Sequence, residues 1–574
     1  MAQTSRLIED LRSIVGARYV LTGGEETRRY RTGYRYGSGR ALAVVRPGTL
    51  LEQWRVVKAC VAANVIVIMQ AANTGLTGGS TPYGDDYDRA VVIISTRRIT
   101  GIHLIDAGRQ VICLGGSTLD ELERALQPIG REPHSVIGSS CVGASVLGGV
   151  CNNSGGALVR RGPAFTEMAL FAQLDPAGEL RLVNHLGVNL GTEPESILQR
   201  LEARAYGERD IEYDPARRIS ARDYLQRVRD VDADTPARFN ADATHLFEAS
   251  GSAGRLILFA VRLETFASES ATVLFYVGSN DTAELTRLRR HMLSTFTELP
   301  VAAEYLHRTA FDISAAYGKD MFLAIRYLGT GRLPQLLRLK AHLDALGDRW
   351  GITGPGFSDR LLQAIGRLFP THLPRRLREY RERYQHHLML QMSGNGIAEA
   401  RTYLAAIYPS AAGAFFECTP DEAARAFLHR FVTAGAAVRY RVLHAAEVES
   451  LISLDVALRR NERQWFETLP PEIEAALVHK IYYGHFFCHV FHQDYIVAKG
   501  HDARALEHHM RELLDRRGAE YPAEHNVGHL YPAKPGLAAF YRALDPRNQF
   551  NPGIGCTSSH QGWRESGGAG ERSG

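Results

Sequence analysis

Three histidines and a glutamate have the strongest potential for chemistry in this sequence. His485 and His492 are seven residues apart, and Glu524 is followed directly by His525. Two neutral imidazoles and one carboxylate are a common ligand set for a divalent metal with an open position. A histidine also accepts a proton near neutral pH without a large pKa shift. The alternative is structural, because the chain has 22 histidines and one in an aromatic-rich strand is more often a core residue.

Two glycine-rich segments, residues 70–80 and 138–156, are candidates for binding a phosphate. Both lack charged side chains, and backbone N–H groups beside glycines can converge on a phosphate oxygen. Neither segment matches the dinucleotide fingerprint GxGxxG or the P-loop. Two such segments after predicted strands favour a phosphate-containing ligand over the alternative of two ordinary surface loops.

The elements that would position these segments alternate between strand and helix. Thr49 and Glu52 form a capping box that begins a helix. Helical periodicity dominates 310–390, 420–500 returns to mixed strand and helix, and 520–556 is rich in loops. Apolar runs predict strands over 41–46, 65–70, 91–95, 110–114 and 256–263. The pattern predicts an α+β protein.

Length and composition exclude several classes of protein. A chain of 574 residues predicts two or three domains. The 67 Lys and Arg against 63 Asp and Glu are too balanced for binding nucleic acid over the whole surface. Seven cysteines without a CxxC pair predict reduced thiols. We expect no signal peptide, because Arg6, Glu9 and Asp10 come before any apolar run could develop. We expect no membrane-spanning helix, because the most tempting uncharged run, 135–159, has 13 Gly, Ser or Asn among its 25 residues.

Basic residues gather between residues 332 and 384. This stretch has 11 Lys or Arg and five Asp or Glu, a surplus of six, and leucines and aromatic residues lie among them. Basic amphipathic helices of this kind bind anionic lipid surfaces. The alternatives are a solvated helical face over an ordinary core and a nucleic-acid site, although no nucleic-acid motif accompanies the charge.

The sequence resembles a known flavoprotein family over residues 15 to 560. The segments that carry the resemblance are QAANTGLTGGSTP, GREPHSVIGSSCVGASVLGGVCNNSGG, ALRRN, LPPEI, FHQDYI, YPAEHNVGHLY and NPGIG. They are similar to the FAD-binding family of the vanillyl-alcohol-oxidase type and, within it, to the bacterial quinone-dependent D-lactate dehydrogenases.

The resemblance implies a fold and a division into domains. A two-subdomain FAD-binding domain would comprise residues 1–266, completed by 520–574. A cap domain with an antiparallel sheet would comprise 267–310 and 385–519. Residues 311–384 would form the basic helical membrane-contact region, and 560–574 would be a flexible tail.

The resemblance also implies the residues that bind FAD. The first glycine-rich loop has neither His nor Cys, so we expect FAD to be bound non-covalently, with His134 and Cys141 as the residues that would contradict this. The implied FAD contacts are Ala71, Ala72, Asn73, Thr74, Gly75, Gly79, Ser80, Gly138, Ser145, Gly155 and Leu258.

The implied catalytic site has a metal and a base. His485, His492 and Glu524 match the Zn or Mn ligands of related D-2-hydroxy acid dehydrogenases, and His525 matches the base. Because the residues between the two histidines differ from the Gly-Asp-Gly-Asn of those relatives, His489 is an alternative ligand. His529 is the alternative base. Three residues are expected to hold the substrate carboxylate: Arg308, Tyr317 and Lys319.

The implied function is oxidation of D-lactate to pyruvate by FAD, with electrons passed to a membrane quinone. The protein would bind the cytoplasmic face of the cell membrane peripherally, through anionic phospholipid, and would not bind nucleic acid. One alternative is a soluble FAD-dependent dehydrogenase or oxidase of another D-2-hydroxy acid. The other is a binding protein that uses the FAD-like domain as a scaffold and holds nucleic acid with its basic region.

Overall fold

The structure, a computed structural model, describes residues 2–134, 143–269, 271–329, 332, 340 and 356–564. Gly138 and Cys141, two of the residues singled out from the sequence, lie outside the described residues, as does most of the basic stretch before residue 356 and the tail beyond residue 564.

Strands and helices of the described residues follow the expected mixture. The strands are β1 Val20–Leu21, β2 Ala43–Val45, β3 Ile66–Gln70, β4 Val91–Ser95, β5 Ile102–Ile105, β6 Gln110–Leu114, β7 Arg131–Glu132, β8 Ala169–Leu174, β9 Leu180–Asn184, β10 Ile257–Glu264, β11 Phe266–Ala267, β12 Thr272–Ser279, β13 Ala302–His307, β14 His386–Ser393, β15 Gly413–Glu417, β16 Val448–Ala457, β17 Leu477–His485 and β18 Val490–Ala498. The helices are Ala2–Val15, Gly24–Arg31, Leu50–Ala62, Leu119–Leu126, Val146–Cys151, Pro194–Glu202, Tyr224–Arg229, Thr282–Thr295, Arg308–Tyr317, Lys319–Leu328, Phe357–Leu368, Arg375–Arg383, Gly396–Ile407, Pro420–Phe431, Thr433–Leu443, Pro471–Glu474, Ala503–Arg516 and Pro535–Leu544.

The first sheet has the order β1-β2-β4-β3, with β2 and β3 parallel to β4. Its strands are apolar on both faces and buried, as expected for parallel strands. The predicted capping box is present in part, because Thr49 Oγ1 accepts a hydrogen bond from the Glu52 amide at the start of the Leu50–Ala62 helix. The first glycine-rich segment begins where β3 ends, at Gln70.

The second sheet is antiparallel, in the order β5-β6-β10-β8-β9. It shares a core with the first sheet, in which Val67 and Ile94 from one sheet meet Ile112 and Phe259 from the other. The short helix Val146–Cys151 in the second glycine-rich segment packs against β6 and β10.

A third sheet of seven antiparallel strands has the order β15-β12-β14-β13-β17-β18-β16. Alternate residues of its strands enter two different cores, as the period of a strand requires. Phe275 and Val277 pack with the Thr282–Thr295 helix on one face. On the other face Leu274 and Tyr276 pack with four helices, which are Arg308–Tyr317, Arg375–Arg383, Pro420–Phe431 and Thr433–Leu443.

The C-terminal segment returns to the first sheet. The Val67 amide donates to the Gln549 carbonyl, and the Asn551 amide donates to the Val67 carbonyl. Buried Asp545 accepts the amides of Gln549 and Phe550 and fixes the turn before this contact. Residues from both ends of the chain therefore build one sheet and the loop that follows it.

Among the described residues, no helix is both long and apolar enough to cross a membrane.

A buried asparagine connects three distant segments of the chain. Asn551 Nδ2 donates to the carbonyls of Gly79 and Ala253, at 2.9 and 2.7 Å. We expect Asn551→Ala to lower the free energy of unfolding by about 1–3 kcal/mol, because two buried carbonyls lose their donor. The exposed Asn189 is the control, since Asn189→Ala should change stability by less than about 0.5 kcal/mol. Urea denaturation followed by circular dichroism measures both, and equal effects would contradict the prediction.

Candidate functional site

A cleft of about 2030 Å³ joins the two glycine-rich segments to the histidine constellation. Its walls come from residues 69–80, residues 144–156, the β16 strand and residues 524–531. Pockets for a single small ligand are usually about 300–1,000 Å³. The cleft is therefore large enough for a dinucleotide together with a smaller molecule.

Hydrogen bonds hold the first glycine-rich loop at the end of β3. Buried Gln70 donates through Nε2 to the carbonyls of Tyr30 and Ser80, both at 2.7 Å. Asn73 has a positive φ of 55° and donates to the Thr32 carbonyl. All seven residues predicted for this loop line the cleft: Ala71, Ala72, Asn73, Thr74, Gly75, Gly79 and Ser80.

The second loop lines the same cleft. Ser145 Oγ accepts a hydrogen bond from the Gly148 amide and caps the Val146–Cys151 helix. Ser145, Gly155 and Leu258 line the cleft, so every predicted FAD contact among the described residues does so. A Cβ added to Gly155 would lie 2.6 Å from Glu524 Oε1, so this loop needs glycine where it meets the metal-ligand segment.

These walls fit FAD. Two uncharged, glycine-rich loops face one elongated cleft and leave backbone amides accessible to a diphosphate. Of the two residues named as risks to non-covalent binding, His134 is buried and is not part of the described lining, and Cys141 lies outside the described residues. Non-covalent attachment stays a prediction.

His485, His492 and Glu524 converge at the other end of the cleft. Their candidate ligand atoms all lie within 4.8 Å of one another. The two Nε2 atoms of the histidines are 3.5 Å apart, and His485 Nε2 lies 3.2 Å from Glu524 Oε2. The structure explains the spacing of seven, since His485 ends β17 and His492 lies in β18, with the Phe486–Cys488 turn between them.

Carboxylates orient both histidines through their other ring nitrogens. His485 Nδ1 contacts Glu304 Oε1 at 2.5 Å, and His492 Nδ1 contacts Asp455 Oδ1 at 3.2 Å. This carboxylate–histidine arrangement is usual around metal ions and leaves the Nε2 atoms for the ion. The three side chains therefore fit a divalent metal with an open position.

Neighbouring charges shift the pKa values in this cluster. Burial alone would lower the pKa of His485, but the carboxylates of Glu304 and Glu524 outweigh burial and raise that pKa to about 10. Burial lowers the pKa of His492, and Asp455 offsets only part of this effect. Burial opposes ionisation of Glu524, yet His485 and Arg238 lower its pKa. A metal would displace the proton of His485 and take over its charge.

His525 lies beside the predicted ligands. Its ring stacks on the His492 ring with centroids 5.7 Å apart, and its Nδ1 lies 3.3 Å from Asp455 Oδ2. The side chain is about one-third exposed and lines the cleft. A base at this position can reach a molecule in the cleft while a carboxylate holds its ring.

Four further residues complete the site. Asp455 also accepts the backbone amides of Glu524 and His525, at 2.7 and 3.0 Å. Arg238 donates to Glu524 Oε1 at 2.5 Å, and Arg430 Nη2 lies 2.9 Å from the Oε2 atom of Glu304. These residues come from distant segments without a recognisable motif. The one sequence signal concerned Asp455, which lies two residues before the ALRRN segment.

The predicted carboxylate clamp needs correction. Arg308, Tyr317 and Lys319 do not line the cleft. Arg308 donates to the Glu382 carbonyl, Tyr317 bonds to His444, and Lys319 donates to the Phe369 carbonyl. They lie in or beside the Arg308–Tyr317 and Lys319–Leu328 helices, and their side chains join these helices to neighbouring segments instead of entering the cleft.

The two alternative histidines also have other contacts. His489 Nδ1 donates to the Arg459 carbonyl, and His489 is not part of the three-ligand cluster. His529 lines the cleft, but its Nε2 donates to the Thr81 carbonyl and its ring stacks on Tyr83. The geometry favours His492 as ligand and His525 as base.

Comparison with known proteins agrees with this arrangement. A family model described as a FAD binding domain matches residues 41–181, and one described as D-lactate dehydrogenase, membrane binding, matches residues 274–563. The chain is 56% identical over 558 residues to the quinone-dependent D-lactate dehydrogenase of Escherichia coli strain K12, covering 97% of this chain and 98% of that protein. It is 57% identical over 561 residues to the enzyme of the same name from Haemophilus influenzae, covering 98% and 99%.

The chain belongs to the quinone-dependent D-lactate dehydrogenase family. The resemblance inferred from the glycine-rich and histidine segments is thus confirmed, and so is FAD as the cofactor of the family domain.

Solved structures with this fold are distant in sequence. p-Cresol methylhydroxylase with substrate bound has a TM-score of 0.59 and 12% identity, covering 97% of both chains. Alkyldihydroxyacetonephosphate synthase has a TM-score of 0.56 and 12% identity, covering 96% of this chain and 84% of that one. Together with the FAD-binding model, they confirm the predicted α+β fold of the vanillyl-alcohol-oxidase type.

The ligand geometry predicts which histidine substitution removes a metal from this family member. A divalent ion held by this cluster should be lost in His492→Asn, because one of the two imidazoles that would hold it is gone. His489→Asn is the matched control, since it changes a neighbouring buried histidine outside the cluster and Asn tolerates the positive φ of 56° there. Elemental analysis of the purified proteins measures the metal content of both variants. Loss of metal in the control alone would show that His489, and not His492, is the ligand.

Proposed function

We propose that this protein oxidises D-lactate to pyruvate with FAD and passes the electrons to a membrane quinone. The observation that carries the proposal is one cleft lined both by the two glycine-rich loops and by His525 with its three metal-ligand neighbours. Membership of the quinone-dependent D-lactate dehydrogenase family supports the substrate and the electron acceptor.

The chemistry divides between the cofactor and the side chains. FAD, when bound between the loops, supplies the acceptor for the hydride of the substrate carbon. His525 takes the hydroxyl proton, and Asp455 holds the ring of His525 in place. A divalent ion on His485, His492 and Glu524 would stabilise negative charge on the substrate oxygen.

The carboxylate of the substrate also needs a partner. Arg430 takes over the role first assigned to Arg308, Tyr317 and Lys319, because its side chain lines the cleft. One nitrogen of Arg430 pairs with Glu304, its guanidinium lies 4.6 Å from the centre of the Tyr483 ring, and its buried Nε has no hydrogen-bond partner within the described part of the chain. A substrate carboxylate would satisfy that donor.

The membrane attachment has a candidate surface. Leu361, Ile365 and Leu368 recur at helical spacing on the Phe357–Leu368 helix and are exposed, Leu368 by 85%. Tyr327 and Leu328 are exposed on the Lys319–Leu328 helix, which contacts the Phe357–Leu368 helix. A group of five exposed large apolar side chains is unusual for a surface in water. With the surrounding basic residues, this membrane-contact face suits an anionic phospholipid surface, and the cytoplasmic leaflet supplies such lipids.

The division into domains follows from the same elements. The proposed FAD-binding domain, 1–266 completed by 520–574, provides the glycine-rich loops, Glu524 and His525. The proposed cap, 267–310 with 385–519, provides His485, His492 and Asp455. The proposed membrane-contact region is 311–384.

The base assignment is tested by flavin bleaching without oxygen. We expect D-lactate, and not L-lactate, to bleach the flavin, and His525→Ala to slow bleaching by at least about a hundredfold, the usual contribution of a positioned base. His501→Ala, an exposed histidine outside the cleft, is the control. Bleaching of the His525→Ala protein at the normal rate would refute the assignment, and bleaching by L-lactate would refute the stereochemistry.

The membrane-contact face is tested by flotation with anionic vesicles at low and high salt. Replacing Ile365 and Leu368 together with Glu should weaken vesicle binding by at least about tenfold, because two apolar side chains lose their burial in lipid. Replacing the exposed Ile129 and Leu225 with Glu makes the same change of charge elsewhere and should leave binding as it was. Wild-type protein that stays soluble at low salt would instead favour a soluble D-2-hydroxy acid dehydrogenase.

A further inference from the structure

The cleft changes in character from one end to the other. At one end Asp455, on β16, holds the histidines of the proposed catalytic site. Leu451 lies four residues earlier on the same strand, roughly 13 Å away at about 3.3 Å per residue, and it also lines the cleft. Met321, Ala434 and Leu451 pack against the same core. Together with Phe431 and Val438 they make this part of the lining mainly apolar, beside Ser450 and Arg441. The cleft therefore has a polar end and an apolar end.

A helix of the cap domain forms the apolar wall. Ala434, Val438 and Arg441 recur at helical spacing on one face of the Thr433–Leu443 helix, and all three line the cleft. The opposite face of this helix packs on the Arg308–Tyr317 helix, and the helix also contacts β16. The small side chain of Ala434 and the branched one of Val438 thus leave space in the cleft, while the opposite face of the helix keeps its packing on the Arg308–Tyr317 helix.

The apolar end opens towards solvent. Phe431 is exposed by 36% although it is a large apolar residue that lines the cleft. Tyr34, from the loop across the opening, is also exposed and lines the cleft. The adjacent Arg35 reaches the Ala434 carbonyl at 3.5 Å, so this loop and the helix together form the rim.

This opening is next to the proposed membrane-contact face. Met321 in the cleft and the exposed Tyr327 and Leu328 belong to one helix, Lys319–Leu328. The Thr433–Leu443 helix packs directly on the Phe357–Leu368 helix, which carries the other exposed apolar residues. A lipid-soluble molecule could pass from the bilayer to the apolar end without entering bulk water.

We propose that the apolar end of the cleft is the binding site of the quinone head group. The residues that form it are Met321, Phe431, Ala434, Val438 and Leu451. The inference rests on the proposed function, in which D-lactate loses two electrons and two protons and a quinone gains two of each to leave as the quinol. The polar end then belongs to D-lactate and pyruvate, so donor and acceptor occupy different sites.

The test uses the full-length protein with its FAD, in detergent, and an azido derivative of a short-chain ubiquinone as photoreactive probe. After illumination, peptide mass mapping should locate the label within residues 430–443, at Met321 or at Leu451. Excess unmodified short-chain ubiquinone should prevent labelling, whereas pyruvate should not. Labelling elsewhere, or protection by pyruvate, would overturn the proposal and indicate one shared site.

Substitutions make the test specific to this wall. Ala434→Trp should lower specific labelling by at least about tenfold, because an indole fills the space for the head group. Ala446→Trp introduces the same side chain at an exposed position just after the helix and outside the cleft lining, and it should label normally. Val438→Phe is the second variant should Ala434→Trp lose FAD or fail to fold. Undiminished labelling in a folded wall variant would overturn the proposal.

The two proposals fail in different ways. If D-lactate does not bleach the flavin of the unaltered protein, the proposed function is wrong. If D-lactate bleaches it and the quinone label lies outside the apolar wall, the function stands and the quinone site is wrong.

Discussion

The carboxylate of Asp455 orients most of the groups in the proposed catalytic site. It contacts the Nδ1 atoms of His492 and His525 and accepts the backbone amides of Glu524 and His525. A buried carboxylate is costly unless its oxygens have partners, and here burial opposes ionisation while His525 and His492 lower the pKa of Asp455. The carboxylate is thus paired with the groups that it orients. Asp455 also joins the β16 strand to the segment that follows residue 520.

Glycines allow that segment to approach the FAD loops. A Cβ on Gly528 would lie 2.1 Å from the Thr77 carbonyl oxygen, and one on Gly79 would lie 2.4 Å from the side-chain Nδ2 of Asn526. In the second loop, Gly155 meets Glu524 in the same way. The glycine-rich loops therefore have two roles. They expose amides to a diphosphate, and they bring the proposed metal ligand and base close to the cofactor cleft.

The sequence predicts local features of this arrangement well and distant contacts poorly. The strands at 65–70 and 256–263, the two loops and the ligand cluster all depend on short patterns or motifs, and the structure has them within a residue or two. Asp455 and Arg430 depend on strand register and on helix packing across the cap sheet, which no short pattern encodes. The same cause explains the error at Arg308, Tyr317 and Lys319, because a basic or aromatic residue in the correct domain can still lie on the wrong face of its helix.

The placement of helices on one face of the third sheet also explains how such an enzyme can bind both a water-soluble donor and a lipid-soluble acceptor. The strands β16, β17 and β18 carry polar residues at the end where the FAD loops meet them and apolar residues where the helices cover them. A charged hydroxy acid is stabilised at the first end by fixed charges, and an apolar acceptor is stabilised at the second by exclusion of water. If both substrates shared one end, the charges that bind lactate would have to be desolvated by the quinone at each turnover. The proposed separation along β16 avoids that cost, and it requires the helix-covered face of the third sheet to be turned towards the membrane.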